Sequence, residues 1–201
     1  PRMIVAKSDT TRYCIGKQWT GNKLCYYDFL RPDVNEISLD IACGSRDAID
    51  YCLSCDKDWL SFSQTEGHTA FTDRIQIQLD RSKLSGRDTA IVTVSGTDQS
   101  KVEITIHAEN RCFDDYKPMT FFEYDGYIAM EAEHFCNKQD SADGCFSLLK
   151  PYGKTGSAMK VYPSLTDCSL TRRFEKPYLE YRFVTNTDGI YQLTLCFGPS
   201  T

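Results

Sequence analysis

Apolar and polar residues alternate with a period of two along much of the chain. Ile37, Leu39 and Ile41 are separated by polar residues, and Ile49, Tyr51, Leu53 and Cys55 repeat the pattern. So do Ile75, Ile77 and Leu79, then Val102, Ile104 and Ile106. Successive side chains of a strand point to opposite faces, so each run predicts a strand with one face in a core and one in water. Ala90–Ser95 is rich in β-branched residues and predicts another. Cys43–Asp47, Leu84–Asp88 and Gly96–Ser100 carry the Gly, Ser and Asp of turns. Short strands at this spacing predict a β-sandwich of the immunoglobulin-like kind over 36–108. Trp59–Phe62 predicts a short strand whose indole closes the core. Residues 1–35 show no sustained period and read as an irregular lead-in.

Residues 109–118 are polar and end in Pro118, the composition of a linker. A second β pattern fills 119–201. Tyr127, Ala129, Glu131 and Glu133 alternate with Ile128, Met130, Ala132 and His134, which predicts a strand. Tyr178–Phe183 and Ile190–Leu195 flank Asn186-Thr-Asp-Gly189 and predict a hairpin. The expected class is therefore all-β, with two tandem sandwiches, the second like a jelly roll or carbohydrate-binding module. A closed jelly roll uses about eight strands, more than this stretch supplies, so the second domain is expected to be incomplete.

No apolar run approaches the roughly 18 residues of a membrane span. The start, Pro1-Arg-Met-Ile, lacks the features of a signal peptide. It reads as a piece of something longer. The net charge of −5 lacks the basic excess of a nucleic-acid binder. The nearest basic group is Arg172-Arg173. Ten cysteines permit disulfides. They fall singly along strands, however, and read as mostly reduced, buried thiols, with Cys136 and Cys145 the first pair to test for a bridge.

Candidate chemistry is sparse. Glu131 and Glu133, on one face of a strand, would lie about 7 Å apart. Structural hydrogen bonding is the first reading, calcium the second and glycoside hydrolysis a distant third, since calcium takes six or more oxygens. Cys52-Leu-Ser-Cys55 has half the spacing of a zinc site, but no second such pair follows, and alternation sends the two sulfurs to opposite faces. His68, His107 and His134 stand alone in sequence. Gly153-Lys-Thr-Gly156 reads as a tight turn rather than a phosphate loop. Phe146, Tyr152 and Tyr162 could stack on sugar rings if they share an exposed face.

Asp125-Gly-Tyr-Ile-Ala-Met-Glu-Ala-Glu-His-Phe135, Tyr152-Gly-Lys-Thr-Gly-Ser-Ala-Met159, Tyr178–Tyr181 and Phe197–Thr201 together resemble the C-terminal domain of glycoside hydrolase family 115. Asp58-Trp59, Gly67 and Asp73-Arg74 resemble the sandwich that precedes it, so the resemblance runs from about Lys23 to Thr201. It implies a parent α-glucuronidase that removes glucuronic or 4-O-methylglucuronic acid from xylan side chains. The family's acid and base lie in an upstream barrel, and no residue here matches them. The chain is then a non-catalytic region of a secreted, periplasmic or cell-surface enzyme. The partners implied are that catalytic domain, a second copy in a homodimer, and xylan or another plant glycan, with no nucleic acid and no membrane. The alternative is a stand-alone carbohydrate-binding module or an adhesive sandwich protein. A family tryptophan is replaced near Phe146, and the family domain continues beyond the last residue here.

Overall fold

A computed structural model describes residues 2–16, 23–142, 144–164 and 176–198. Cys168 and Arg172-Arg173 lie outside these residues. The chain divides into two compact units, Pro1–Asp115 and Tyr116–Thr201. Both are built from strands, and the all-β expectation holds.

The first unit is a sandwich. One five-stranded sheet has the order β2 (Tyr13–Ile15), β1 (Met3–Lys7), β4 (Glu36–Cys43), β8 (Thr72–Leu79), β6 (Leu60–Phe62). The other has the order β3 (Leu24–Phe29), β10 (Lys101–Glu109), β9 (Arg87–Gly96), β5 (Ile49–Cys55), β7 (Glu66–Thr69). The alternation read in the sequence is the core itself. Ile37, Leu39, Ile41, Ile75, Ile77 and Leu79 meet Ile49, Tyr51, Leu53, Val92, Val94, Ile104 and Ile106, all buried. Burial of this apolar surface is the main favourable term for the unit.

The expected lead-in over 1–35 is replaced by strands. Met3 and Val5 of β1 enter the core, and β1 pairs antiparallel with β4, Val5 opposite Ile41. Leu24, Tyr26 and Phe29 of β3 also enter it, and β3 pairs parallel with β10. These strands are short, and the parallel one carries a register shift between Ile106 and Ala108, so each shows too few repeats for a period to stand out.

Polar clamps close the rim between the two sheets. The Lys7 ammonium donates to Asp28 Oδ2 at 2.7 Å, the Tyr26 hydroxyl to the Ser38 carbonyl at 3.0 Å, and the Tyr51 hydroxyl to Asp73 Oδ2 at 2.8 Å. Burial, with Asp73 beside it, pushes the Tyr51 hydroxyl up to about 12. Arg81, in a short 3-10 turn, donates to the carbonyls of Phe29, Arg31, Val34 and Glu109 and to Asn35 Oδ1. It thereby ties the loop after β3 to the end of β10. Trp59 is buried as expected. Its indole N–H donates to Asp88 Oδ2 at 3.0 Å.

The second unit is organised differently. Its strands form three two-stranded ribbons among the described residues. β11 (Thr120–Phe122) pairs parallel with β16 (Arg182–Val184), β12 (Asn137–Gln139) pairs antiparallel with β15 (Tyr178–Glu180), and β13 (Cys145–Leu149) pairs antiparallel with β14 (Ala158–Tyr162). Two expectations fail here. The predicted strand over Tyr127–His134 does not form. Tyr124 and Tyr127 exchange backbone hydrogen bonds of 2.9 and 3.1 Å around a tight turn, with Asp125 and Gly126 both at positive φ. The segment after it alternates in exposure only as far as Glu131, where a turn closes with the His134 N–H donating to the Glu131 carbonyl at 3.0 Å, and it has no partner strand. Nor does the predicted hairpin after Tyr178 form. Tyr178–Glu180 and Arg182–Val184 are taken by β12 and β11, which leaves Ile190–Leu195 without a ladder. The buried hydrophobic core residues of the described chain all lie at or before Ala108, and in the second unit Gly144 and Pro177 are buried.

Candidate functional site

The carboxylates of Glu131 and Glu133 do converge, although not from a strand. Glu131 Oε1 accepts from the Thr155 hydroxyl, and Glu133 Oε1 accepts from the Ser157 backbone N–H at 2.8 Å. Both therefore grip the segment 153–157. The Ser157 N–H, aimed at the carboxylate, holds Glu133 below the usual carboxylate range. The segment is the tight turn expected from Gly153-Lys-Thr-Gly156, with the Gly153 N–H donating to the Gly156 carbonyl at 3.0 Å. Its glycines are required by close approach. A Cβ on Gly156 would meet Glu133 Oε1 at 2.5 Å, and one on Gly153 would meet the Ser157 carbonyl oxygen at 2.6 Å. Structural hydrogen bonding, the first of the readings for this pair, is thus the one with visible partners. Glu133 Oε2 is enclosed and makes no hydrogen bond. The sequence reading missed Tyr181. Its hydroxyl donates to the Ala132 carbonyl at 2.7 Å, and burial, with Glu133 nearby, pushes it up. Tyr178-Leu-Glu-Tyr181 was visible as a motif, but nothing in its spacing points at Ala132.

The three aromatic candidates do not form one platform. In the β13–β14 ribbon, Phe146 stands opposite Val161 and Tyr162 opposite Cys145. Cross-strand partners share a face and neighbours along a strand do not. Phe146 and Tyr162 therefore lie on opposite faces. Tyr162 is 37% exposed, with the Lys160 ammonium 5.2 Å from its ring centroid. Tyr152, in the loop after β13, is 56% exposed and lies against Gly198, where a Cβ would meet the ring at 2.9 Å.

The remaining motifs are placed as follows. Cys52 and Cys55 sit on opposite faces of β5, one exposed and one packed against the core. Cys136 and Cys145 are free thiols, and Cys136 donates to the Glu180 carbonyl at 3.0 Å. Burial of the thiols is corrected: among the described cysteines Cys14 alone is buried, while Cys52, Cys112 and Cys196 are exposed. These lie on outward strand positions and loops, where alternation puts side chains in water. His107 stacks on Tyr27 with centroids 4.8 Å apart, and burial pulls its imidazole down. His68 is not alone in space, since its Nδ1 contacts Asp50 Oδ1 across the β5–β7 ladder at 2.5 Å. Among the described residues, no group of three or more Cys, His, Asp or Glu side chains could hold a metal ion. Among the described residues, no helix is long and apolar enough to cross a membrane.

Known proteins were compared with this chain. No curated protein matches it. Among solved structures, a Bacteroides ovatus GH5 xyloglucanase in complex with a XXXG heptasaccharide is similar at 18% identity, with a TM-score of 0.36, over 62% of this chain and 21% of that one. The chain thus spans about a fifth of that enzyme's length. The periplasmic chaperone SfaE is similar at 7% identity and a TM-score of 0.34, over 82% of this chain and 96% of the chaperone. A PapD-like domain of human CEP192 is similar at 8% identity and a TM-score of 0.33, over 45% and 81%. The sequence profile of the glycosyl hydrolase family 115 C-terminal domain matches residues 120–201. That span includes the turn held by Glu131 and Glu133 and all three ribbons. Residues 120–201 thus match the glycosyl hydrolase family 115 C-terminal domain, which supports a C-terminal region of a protein of that family.

Proposed function

We propose that this chain is a non-catalytic accessory region of a secreted α-glucuronidase that removes side chains from xylan. It braces the catalytic domain of the same polypeptide and supports contacts between copies. The match of residues 120–201 to the family's C-terminal domain carries this reading. The chemistry in view agrees with it. The carboxylate pair is engaged with a turn of its own chain, where its role is to hold backbone in place.

Glycan contact is a secondary role in this reading, made by the exposed rings of Tyr152 and Tyr162 separately. Phe146, half-buried on the far face of its ribbon, contributes packing. Calcium adds little. Glu131 and Glu133 offer two side chains where the ion takes six to eight oxygens, and each already has a hydrogen-bond donor.

Sedimentation with insoluble glucuronoxylan tests the scaffold reading against a self-sufficient binding module. The scaffold reading expects most of the purified chain to remain in the supernatant. Strong retention that is lost in Tyr152→Ala and Tyr162→Ala would establish the module instead. Calcium in excess is expected to leave the melting temperature nearly unchanged. A large upward shift would make Glu131 and Glu133 ligands, because an ion that binds only the folded form must stabilise it.

A further inference from the structure

We propose that Tyr191–Phe197 is a self-pairing strand, through which two copies of this chain join edge to edge about a two-fold axis at Thr194. The inference rests on the contacts between copies proposed above and names the segment that makes them. The sequence carries the symmetry. Tyr191-Gln-Leu-Thr-Leu-Cys-Phe197 reads nearly alike in both directions about Thr194. An antiparallel pair centred there sets Tyr191 opposite Phe197, Leu193 opposite Leu195, and Thr194 opposite its own copy. Cross-strand partners share a face, and alternate residues lie on one side. One face of the pair then holds rings against rings and leucines against leucines. The other holds the two threonines, with Gln192 facing Cys196. Aromatic pairs and Thr–Thr pairs are among those that stabilise an antiparallel ladder. Such a contact uses the same patch on both copies, so the assembly closes at two.

The structure leaves this segment open. It joins no ladder. Among the described residues, no backbone N–H or carbonyl of 192–197 makes a hydrogen bond. A row of unpaired donors and acceptors is a template for pairing with another chain. The side chains are open too: Leu193 is 72% exposed, Leu195 63% and Phe197 85%. The start of the segment is anchored, since the Tyr191 hydroxyl donates to Oε2 of buried Glu123 at 3.0 Å, while the Tyr191 ring stays exposed. Exposed strand edges are usually blunted by charge or proline. Residues 189–198 contain neither, so no like charges meet across the axis. The apolar surface on offer is on the order of several hundred Å² per copy, below the roughly 800 Å² a side of a standard interface. The association is therefore weak and concentration-dependent.

Sedimentation equilibrium of the full chain under reductant, over a wide concentration range, tests this. A monomer–dimer equilibrium is expected. Leu193→Asp and Leu195→Lys, each present twice in a dimer, should weaken it by about 10-fold or more. An equal mixture of the two variants should associate more tightly than either alone, because the two new charges then face each other. Both leucines are exposed, so melting temperatures should match the parent and exclude unfolding as the cause. Gln192→Cys tests the register. It faces the exposed native Cys196 across the axis, whereas positions four apart on one strand are about 13 Å from each other. Treatment with oxidised glutathione should give a reducible dimer that Cys196→Ser removes. A chain that stays monomeric at every concentration overturns the proposal and leaves the bracing of the catalytic domain standing. Dimers that survive both leucine variants, show no recovery on mixing, or cross-link without Cys196 overturn it as well. In that event copies meet elsewhere, and the proposed contacts between them hold while this strand is not their seat.

Discussion

At the scale of single residues, close approach and burial decide what each position tolerates. Gly67 packs against the Tyr51 ring, where a Cβ would meet the hydroxyl oxygen at 2.3 Å and Cζ at 2.4 Å. Tyr51 is buried and its hydroxyl is tied to Asp73, so the ring has nowhere to withdraw. Gly67→Ala should lower stability by about 1–3 kcal/mol through overpacking. Urea unfolding checks this: the midpoint should drop with an unchanged slope, and a midpoint equal to the parent's would contradict the packing.

His107 makes a pH-dependent prediction. Burial lowers its pKa in the fold from about 6.5 in the unfolded chain. The unfolded chain therefore binds the proton more readily. The stability linked to His107 is fully present above about pH 6.5 and is lost as pH falls through the lower folded value. Asp40 and Asp88 also have lowered values, Asp88 near 2 because of Lys57, the Thr89 N–H and the Trp59 indole. Their contributions fade only at more acid pH, below about 4. Between pH 7 and pH 5 the parent's melting temperature should therefore fall, and less so in His107→Gln. An identical fall in both would remove His107 as its source.

At the scale of elements, what could be read ahead was whatever a long, regular strand writes into its sequence. β4, β5, β8, β9 and β10 each bury alternate residues in one core, and the period of two is the direct imprint of that burial. Ile75 lies fully inside it. Ile75→Ala should cost about 2–5 kcal/mol, to be measured by chemical denaturation of the full chain. A loss below about 1 kcal/mol would show that the site collapses and that the core is looser than described. The short strands β1 and β3 could not be read in this way, because what fixes them is a partner far along the chain, β4 and β10 respectively. Alternation also misled. Tyr127–His134 and Ile190–Leu195 carry the pattern of strands without a ladder to join. A strand is defined by backbone pairing as well as by its faces, and the sequence records only the faces.

The site was legible to the same degree. Glu131 and Glu133 stood out as a pair, and they do act together. Their target, the turn at 153–157, is set by tertiary packing that no local spacing encodes. Phe146, Tyr152 and Tyr162 were adjacent in pattern, but register separates Phe146 from Tyr162. A one-residue offset along a strand moves a side chain to the other face.

At the scale of the whole molecule, the two units differ in how they are held. Pro1–Asp115 encloses an apolar core between two five-stranded sheets. The second unit has a buried polar node instead, where Glu123 Oε2 accepts from the Asn186 N–H at 2.6 Å and from the Tyr191 hydroxyl at 3.0 Å. Among its described residues Ile190, Leu193, Leu195 and Phe197 are exposed. The proposed bracing role in a family 115 enzyme rests on the match of residues 120–201 to that family's C-terminal domain. The most direct test is incubation of the purified chain with glucuronoxylan, followed by assay of the soluble products for glucuronic and 4-O-methylglucuronic acid. The account predicts none above a no-protein control. Sustained release that scales with the amount of chain added would contradict it.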